Sequence, residues 1–382
     1  MIATIVFWLA TQPAIPVGNR LHRYFAFFIV VLVVSWILSP YQAEGEATVE
    51  NYLKYATFYV LLVTSVRTDQ DLRNIIVGHF AVVTLVMAHT LRENFNGNAW
   101  YAQGIVRMQG IGQTFRDPND LAGLIVCSQP FAWVLWSGWR KRWQRVLLLG
   151  HFGMAGYCVM LTGSRMGMVG ILLAGLLASV ASPKRLRLLA AYTVILAAVW
   201  MLLPEDRKSR YLSLYDSSYG NSATNNSGSR LRVAGFEAAI PVFLQKPLLG
   251  FGPSSFSQAS GTGHLPHNLY GQLLAELGVA GAVTFGLMLF GVLQNTLEAR
   301  MLRGTGCVDE FAWRTVIAAS ASFLLLAVMA WGFNFLFWHV WLWFGAFQVV
   351  GLRLMRNQVE YWQMCQEGDF LNNTEDVTLA WE

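Results

Sequence analysis

His267-Asn268-Leu269-Tyr270-Gly271-Gln272-Leu273-Leu274-Ala275-Glu276-Leu277-Gly278-Val279-Ala280-Gly281 opens a long apolar run with an imidazole and an amide. Asn268, Gln272 and Glu276 recur every fourth residue, so a helix puts them on one face. Gly271, Ala275, Gly278 and Ala282 make a second face of small residues. In a bilayer, a small face admits another helix at close range. The polar stripe must turn away from lipid, toward a bundle interior or a wet cavity. Asn268, Gln272 and Glu276 therefore either join helices or meet a substrate. His267, at the helix mouth after a long polar loop, is the candidate for chemistry.

The rest of the chain agrees with a membrane setting. Of 382 residues, 55% are hydrophobic and only 13% charged, about half the charged share of soluble domains. The apolar residues come in long blocks separated by short charged clusters. This predicts an all-α polytopic membrane protein of about eleven transmembrane helices. The expected spans are residues 2–17, 24–40, 52–66, 73–90, 119–138, 146–162, 166–181, 187–203, 268–296, 314–333 and 335–353. They form one multi-pass domain over residues 1–382, with an outer loop at 204–267 and an acidic, loosely ordered tail at 357–382. The four cysteines have no metal-like spacing, so neither a zinc site nor a disulfide framework is expected.

Lys and Arg set the orientation. Arg20 and Arg23, Arg67 and Arg73, the cluster Arg140–Arg145, Lys184–Arg187, Arg300–Arg314, and Arg353 with Arg356 all fall on one side of these spans. The positive-inside rule makes that side cytoplasmic. The net charge of +5 thus reads as topology, with no nucleic-acid partner. The opposite side holds Glu44, Glu46 and Glu50, the segment Leu91–Asp120, the tight junction Thr162-Gly163-Ser164-Arg165, and the 204–267 loop. In the second of these, Asp117 can cap a helix that starts with Pro118, and Asn119 sits at its mouth. In the loop, residues 215–229 are Ser-, Asn- and Gly-rich and should be flexible. Ser229 then opens a short amphipathic helix that Pro241 should end or kink.

On the side left poor in positive charge, Arg165, Arg230 and Arg232 stand out. Guanidinium groups grip phosphate in fork geometry. Arginines beside a histidine at the outer face suit a lipid-linked phosphate whose tail lies between helices. Pyrophosphate leaves readily once its developing charge is held, and His267 could take the proton of an acceptor hydroxyl. No Asp-x-Asp motif appears in the outer loops, and nothing in the pattern requires a metal or other cofactor.

These residues resemble the O-antigen ligase and polymerase superfamily of bacterial envelope glycosyltransferases. His267-Asn268, with Gly278 and Gly281 after them, is similar to the ligase signature of His, a polar residue, nine residues and Gly-x-x-Gly. Pro247-Leu248-Leu249-Gly250-Phe251-Gly252-Pro253 resembles the family's P-x-x-G-x-G turn, and Ser229-Arg230-Leu231 the arginine that opens the outer-loop helix. Thr162-Gly163-Ser164-Arg165 resembles its T-x-S-R junction, and Phe115-Arg116-Asp117-Pro118-Asn119 its helix start. The resemblance implies a fold of the C-type glycosyltransferase kind in the bacterial inner membrane, with its active site facing the periplasm. It implies metal-free transfer of a glycan from undecaprenyl pyrophosphate to lipid A-core, a protein, or a growing glycan. By that analogy Arg165 and Arg230 bind pyrophosphate, His267 activates the acceptor, and Arg232, Asn268, Asn119, Gln272 and Glu276 contact substrate. Gly281 is followed by Ala282-Val283 where some lipopolysaccharide ligases carry Thr-Gly, so the acceptor does not carry over. A repeat-unit polymerase is the rival within the family. A lipid or polysaccharide transporter is the rival outside it, but the related halves it would need are not evident.

Overall fold

The computed structural model describes residues 18–102, 104–112, 116–180, 182, 184–213, 215–219 and 229–366, the side chains of 217 and 229–232 excepted. It is about 78% helical. The helices are α1 (Arg20–Ile37), α2 (Gln42–Ser65), α3 (Asp69–Phe95), α4 (Pro118–Gly138), α5 (Arg142–Leu161), α6 (Arg165–Val180) and α7 (Arg185–Met201). There follow the short α8 (Glu205–Leu212), α9 (Ser229–Gln245) and α10 (Phe256–Ser260), then α11 (Leu269–Arg303), α12 (Glu310–Met329) and α13 (Val340–Gln366). Between α3 and α4 lies a small antiparallel hairpin of β1 (Trp100–Ala102) and β2 (Ile105–Arg107), with Trp100 opposite Arg107.

Arg20–Ile37, Asp69–Phe95, Pro118–Gly138, Leu269–Arg303 and Glu310–Gly332 are long and apolar enough to cross a membrane. The chain is a multi-pass membrane protein. Helix α1 shows why water cannot be its solvent. Leu21, Phe25, Phe28 and Leu32 are buried, yet Phe27, Val30, Val34 and Ile37 on the other side are exposed, and a helix apolar all round needs lipid or protein on every face. Every expected span after the first falls on a helix; the first, 2–17, lies outside the described residues.

Arg356, Arg73 and Arg353 mark the end where α1, α3, α12 and their partners meet. Arg356 pairs with Glu298, Arg73 with Asp309, and Arg353 donates to the carbonyl of Val63. Asn19, the N-cap of α1, meets Asn295 of α11 at the same end. The starts of α4 and α6 and the first turns of α11 therefore stand at the opposite end.

Two elements outrun the sequence reading. α9 continues through Pro241 to Gln245, because Ala239 and Val242 on either side of the proline are buried in one apolar cluster with Phe251 and Phe256. α13 runs on to Gln366, where Leu354, Met355 and Val359 keep its inner face buried. Residues 367–382 of the tail lie outside the described residues, as do 220–228 of the polar loop.

Helix α11 is broken at Gly278, which sits at φ +61° and ψ −158°. The segment 247–252 plugs the break. The N–H groups of Val279 and Ala280 donate to the carbonyls of Pro247 and Leu248, and those of Phe251 and Gly252 donate to the carbonyls of Ala275 and Glu276. These four bonds take up backbone groups that the break frees, which is what irregular backbone at membrane depth requires. A Cβ on Gly278 would stand 2.6 Å from the Leu248 carbonyl. Gly278→Ala is expected to destabilise the protein by about 1–3 kcal/mol from the backbone conformation alone, read as thermal unfolding in detergent. Gly286→Ala, in open space on the same helix, should leave unfolding unchanged.

Candidate functional site

The T-x-S-R junction turns the chain back on itself in one residue. Gly163, at φ +62°, ends α5. The Ser164 hydroxyl then accepts from the N–H of Gly167 and caps α6, whose first residue is Arg165. A helix end leaves carbonyls without helical partners, and here side chains take them. Arg107 Nε donates to the Thr162 carbonyl at 2.8 Å, Arg210 Nε to the Gly163 carbonyl at 2.7 Å, and the Tyr211 hydroxyl to the Met160 carbonyl at 3.0 Å. Arg207 Nε reaches the Val106 carbonyl of β2 at 3.1 Å. Arg165 Nη2 donates to Ser213 Oγ at 2.9 Å.

Four guanidinium groups, those of Arg107, Arg165, Arg207 and Arg210, therefore collect around Tyr211 at one end of the bundle, each of them buried. Burial pushes the Tyr211 phenol above its ordinary value, and the four arginines oppose that shift. Burial also depresses Arg107, an effect that Asp117 partly offsets. Arg107 Nη2 is held by Asn119 Oδ1 at 2.9 Å. Four buried guanidinium groups, with Asp117 partly offsetting Arg107, form a positive, poorly solvated spot among the described residues, which favours an anion.

Local sequence explains the placement. Asp117 caps α4 by accepting from the N–H of Asn119 at 2.7 Å, and Pro118 occupies the first helical position, as expected. α8 carries Glu205 and Asp206 in its first turn and Arg210 in its last, the order that suits the helix dipole. Spacing of three residues sets Arg207 and Arg210 on one face of α8.

The sequence reading found Arg165 and missed Arg107, Arg207 and Arg210. The α8 pair carried a signal: two arginines three apart, just past an apolar span, on the side where positive charge is scarce. Arg107 carried none, since a three-residue strand leaves no usable periodicity. Arg230 and Arg232 lie on the first turn of α9, and their side chains are outside the described residues.

His267 immediately precedes the cap of α11, is exposed, and holds a left-handed backbone at φ +47°. Non-glycine residues in that region are held there by their surroundings and concentrate at functional sites. Asn268 Oδ1 accepts from the N–H groups of Tyr270 and Gly271, so the amide caps the helix. Glu276 is fully buried; its carboxylate accepts from the N–H groups of Ser254 and Phe256 and from Gln272 Nε2. Asn268 thus caps α11, and Glu276, itself bonded by Gln272, ties the outer turns of α11 to the 250–256 turn.

α9 presses on this mouth. A Cβ on Gly235 would collide with the carbonyl of Pro266, the residue before His267. Gly235→Ala should therefore displace His267 and lower activity at least tenfold with protein abundance unchanged, checked by transfer assay beside immunoblotting of membranes. The end of α12 joins the two halves of the site: Met329 lies against Gly170 of the Arg165 helix, and Trp331 packs on Phe236 of α9 and Tyr270 of α11. The structure thus brings Arg165, Asn119 and His267 to the same end of the bundle. Among the described residues no group of three or more His, Cys, Asp or Glu could hold a metal ion.

Residues 150–286 match the family model described as O-antigen ligase. That segment runs from α5 through the break in α11, and so includes Arg165, Arg207, Arg210 and His267. The resemblance to the O-antigen ligase and polymerase superfamily is borne out over it, and it supports, in broad terms, an enzyme of the O-antigen ligase type. A search of curated proteins gave no match.

Proposed function

We propose that this chain transfers a glycan from a polyprenyl pyrophosphate to an acceptor hydroxyl, at the face of the bacterial inner membrane away from the cytoplasm. The observation that carries this reading is the gathering of Arg107, Arg165, Arg207 and Arg210 at the bundle end that also bears His267. The donor's prenyl chain lies among the apolar helices, about eleven of which cross the bilayer in a C-type glycosyltransferase arrangement. Its pyrophosphate sits against the guanidinium groups; by the family resemblance, Arg230 also binds it and Arg232 contacts substrate.

The acceptor oxygen attacks the anomeric carbon. The bond from that carbon to the pyrophosphate oxygen breaks, and the electron pair leaves with polyprenyl pyrophosphate. The hydroxyl proton passes to His267. Preorganised cations aimed at the departing oxygen stabilise the charge as it develops, with no reorganisation at the moment of reaction. Asn119 acts here by holding Arg107. Lipid A-core, a protein and a second glycan chain all present the required hydroxyl.

Purified full-length protein, mixed with undecaprenyl-pyrophosphate glycan and each acceptor class in turn, tests this by gel shift. Conversion of one acceptor with release of undecaprenyl pyrophosphate is the expected result. Intact donor under every acceptor, from protein that is folded by thermal unfolding, would remove the reading.

A further inference from the structure

The opposite end of the bundle carries a second feature that glycan transfer does not use. An open hollow of about 510 Å³ lies where α11 ends and α12 begins, lined by Arg300, Arg303, Gly304 and Trp313. Arg303 stacks over the Trp313 ring at 4.9 Å from its centroid. Glu310 shares its carboxylate between Arg303 at 3.3 Å and Arg314 at 2.9 Å, while Asp309 is taken by Arg73. Glu310 is thus divided between Arg303 and Arg314, and Arg300 lines the hollow beside them, so among the described residues the hollow keeps a surplus of positive charge. Arg300 is exposed.

The apolar surface leading to the hollow matters as much as the charge. Leu293, Leu297 and Met301 are 52%, 49% and 70% exposed. Leu293, Leu297, Arg300 and Gly304 repeat at helical spacing, so an apolar strip on α11 runs directly into the arginine-lined hollow. An isolated anion would need only the charge. A molecule with a phosphate at one end and hydrocarbon at the other fits both the hollow and the strip.

We propose that this hollow is a binding site for an anionic phospholipid, its phosphate between Arg300 and Arg303 beside Trp313 and its acyl chains along Leu293, Leu297 and Met301. Basic pockets between membrane helices hold such headgroups, and Lys and Arg near a charged leaflet add to the attraction. The site is independent of the transfer reaction. Its consequence is anchorage: the lipid fixes the α11–α12 junction, which is the far end of the helix whose mouth bears His267.

Full-length protein in detergent is titrated with phosphatidylglycerol, and bound lipids are counted by native mass spectrometry. Wild type is expected to retain one phosphatidylglycerol at least tenfold more tightly than phosphatidylcholine. Arg300→Ala/Arg303→Ala should lose that preference, and Arg300→Lys/Arg303→Lys should keep most of it. Arg20→Ala/Arg23→Ala, which removes two arginines at the same end that do not line this hollow, should bind as wild type. Glu310→Gln should bind more tightly. Equal retention of the two lipids by wild type would overturn the proposal. So would equal loss in the Arg20/Arg23 variant, which would mean a diffuse basic collar, or displacement of the lipid by millimolar inorganic phosphate, which would mean a simple anion site.

Discussion

Replacing His267 with alanine is expected to cut glycan transfer by about 10²–10⁴-fold, the range for a well-placed general base, while the protein still inserts and folds. Three features support so large an effect with so little structural damage. The side chain is exposed, so its loss leaves no cavity in the core. The neighbouring Asn268, not His267, caps α11. The left-handed backbone at His267 is fixed by the buried Pro266 before it and the cap after it. His267→Asn tolerates the same backbone well and should be as inactive as the alanine variant. Initial rates of acceptor glycosylation, alongside thermal unfolding, check both.

The second large effect concerns the leaving group. Arg165→Ala and Arg210→Ala should each lower transfer by about 10²–10³-fold, the scale for removing one preorganised donor at a developing charge. Lysine at either position is not a conservative change, because it lacks the planar fork that spans phosphate oxygens. Arg165→Lys and Arg210→Lys should therefore remain at least tenfold impaired. Arg210 also holds the Gly163 carbonyl, so its alanine variant should unfold at a lower temperature. Arg165 bonds Ser213 Oγ instead, and its variant should separate lost activity from lost stability more cleanly. Near-normal rates in both Arg165 variants would take that residue out of the mechanism.

The all-α membrane character was legible because lipid imposes a strong constraint: apolar blocks long enough to span leave few alternatives to helices. The boundaries at Asp117-Pro118 and Asn268 were legible because capping is local. The break at Gly278 was not. It depends on Pro247 and Leu248 arriving from another segment with their carbonyls, and nothing within the helix sequence records a partner so far along the chain. The same holds for Arg107, whose place is set by a short hairpin docking through the N–H of Met108 on the carbonyl of Leu161. Periodicity grouped Asn268, Gln272 and Glu276 correctly on one buried face. It could not say that their hydrogen bonds serve the cap and the 250–256 turn, since that turn is specified by Gly250 and Gly252 outside the helix.

In the proposed mechanism arginines hold the pyrophosphate while His267 handles the proton, so binding and turnover should come apart. The direct measurement is affinity for undecaprenyl-pyrophosphate glycan, taken on full-length wild type, His267→Ala and Arg165→Ala in nanodiscs with no acceptor present. Wild type and His267→Ala should bind alike although only the former transfers, and Arg165→Ala should bind at least tenfold more weakly. Equal binding by all three proteins would contradict the account, because the guanidinium groups would then play no part in holding the donor.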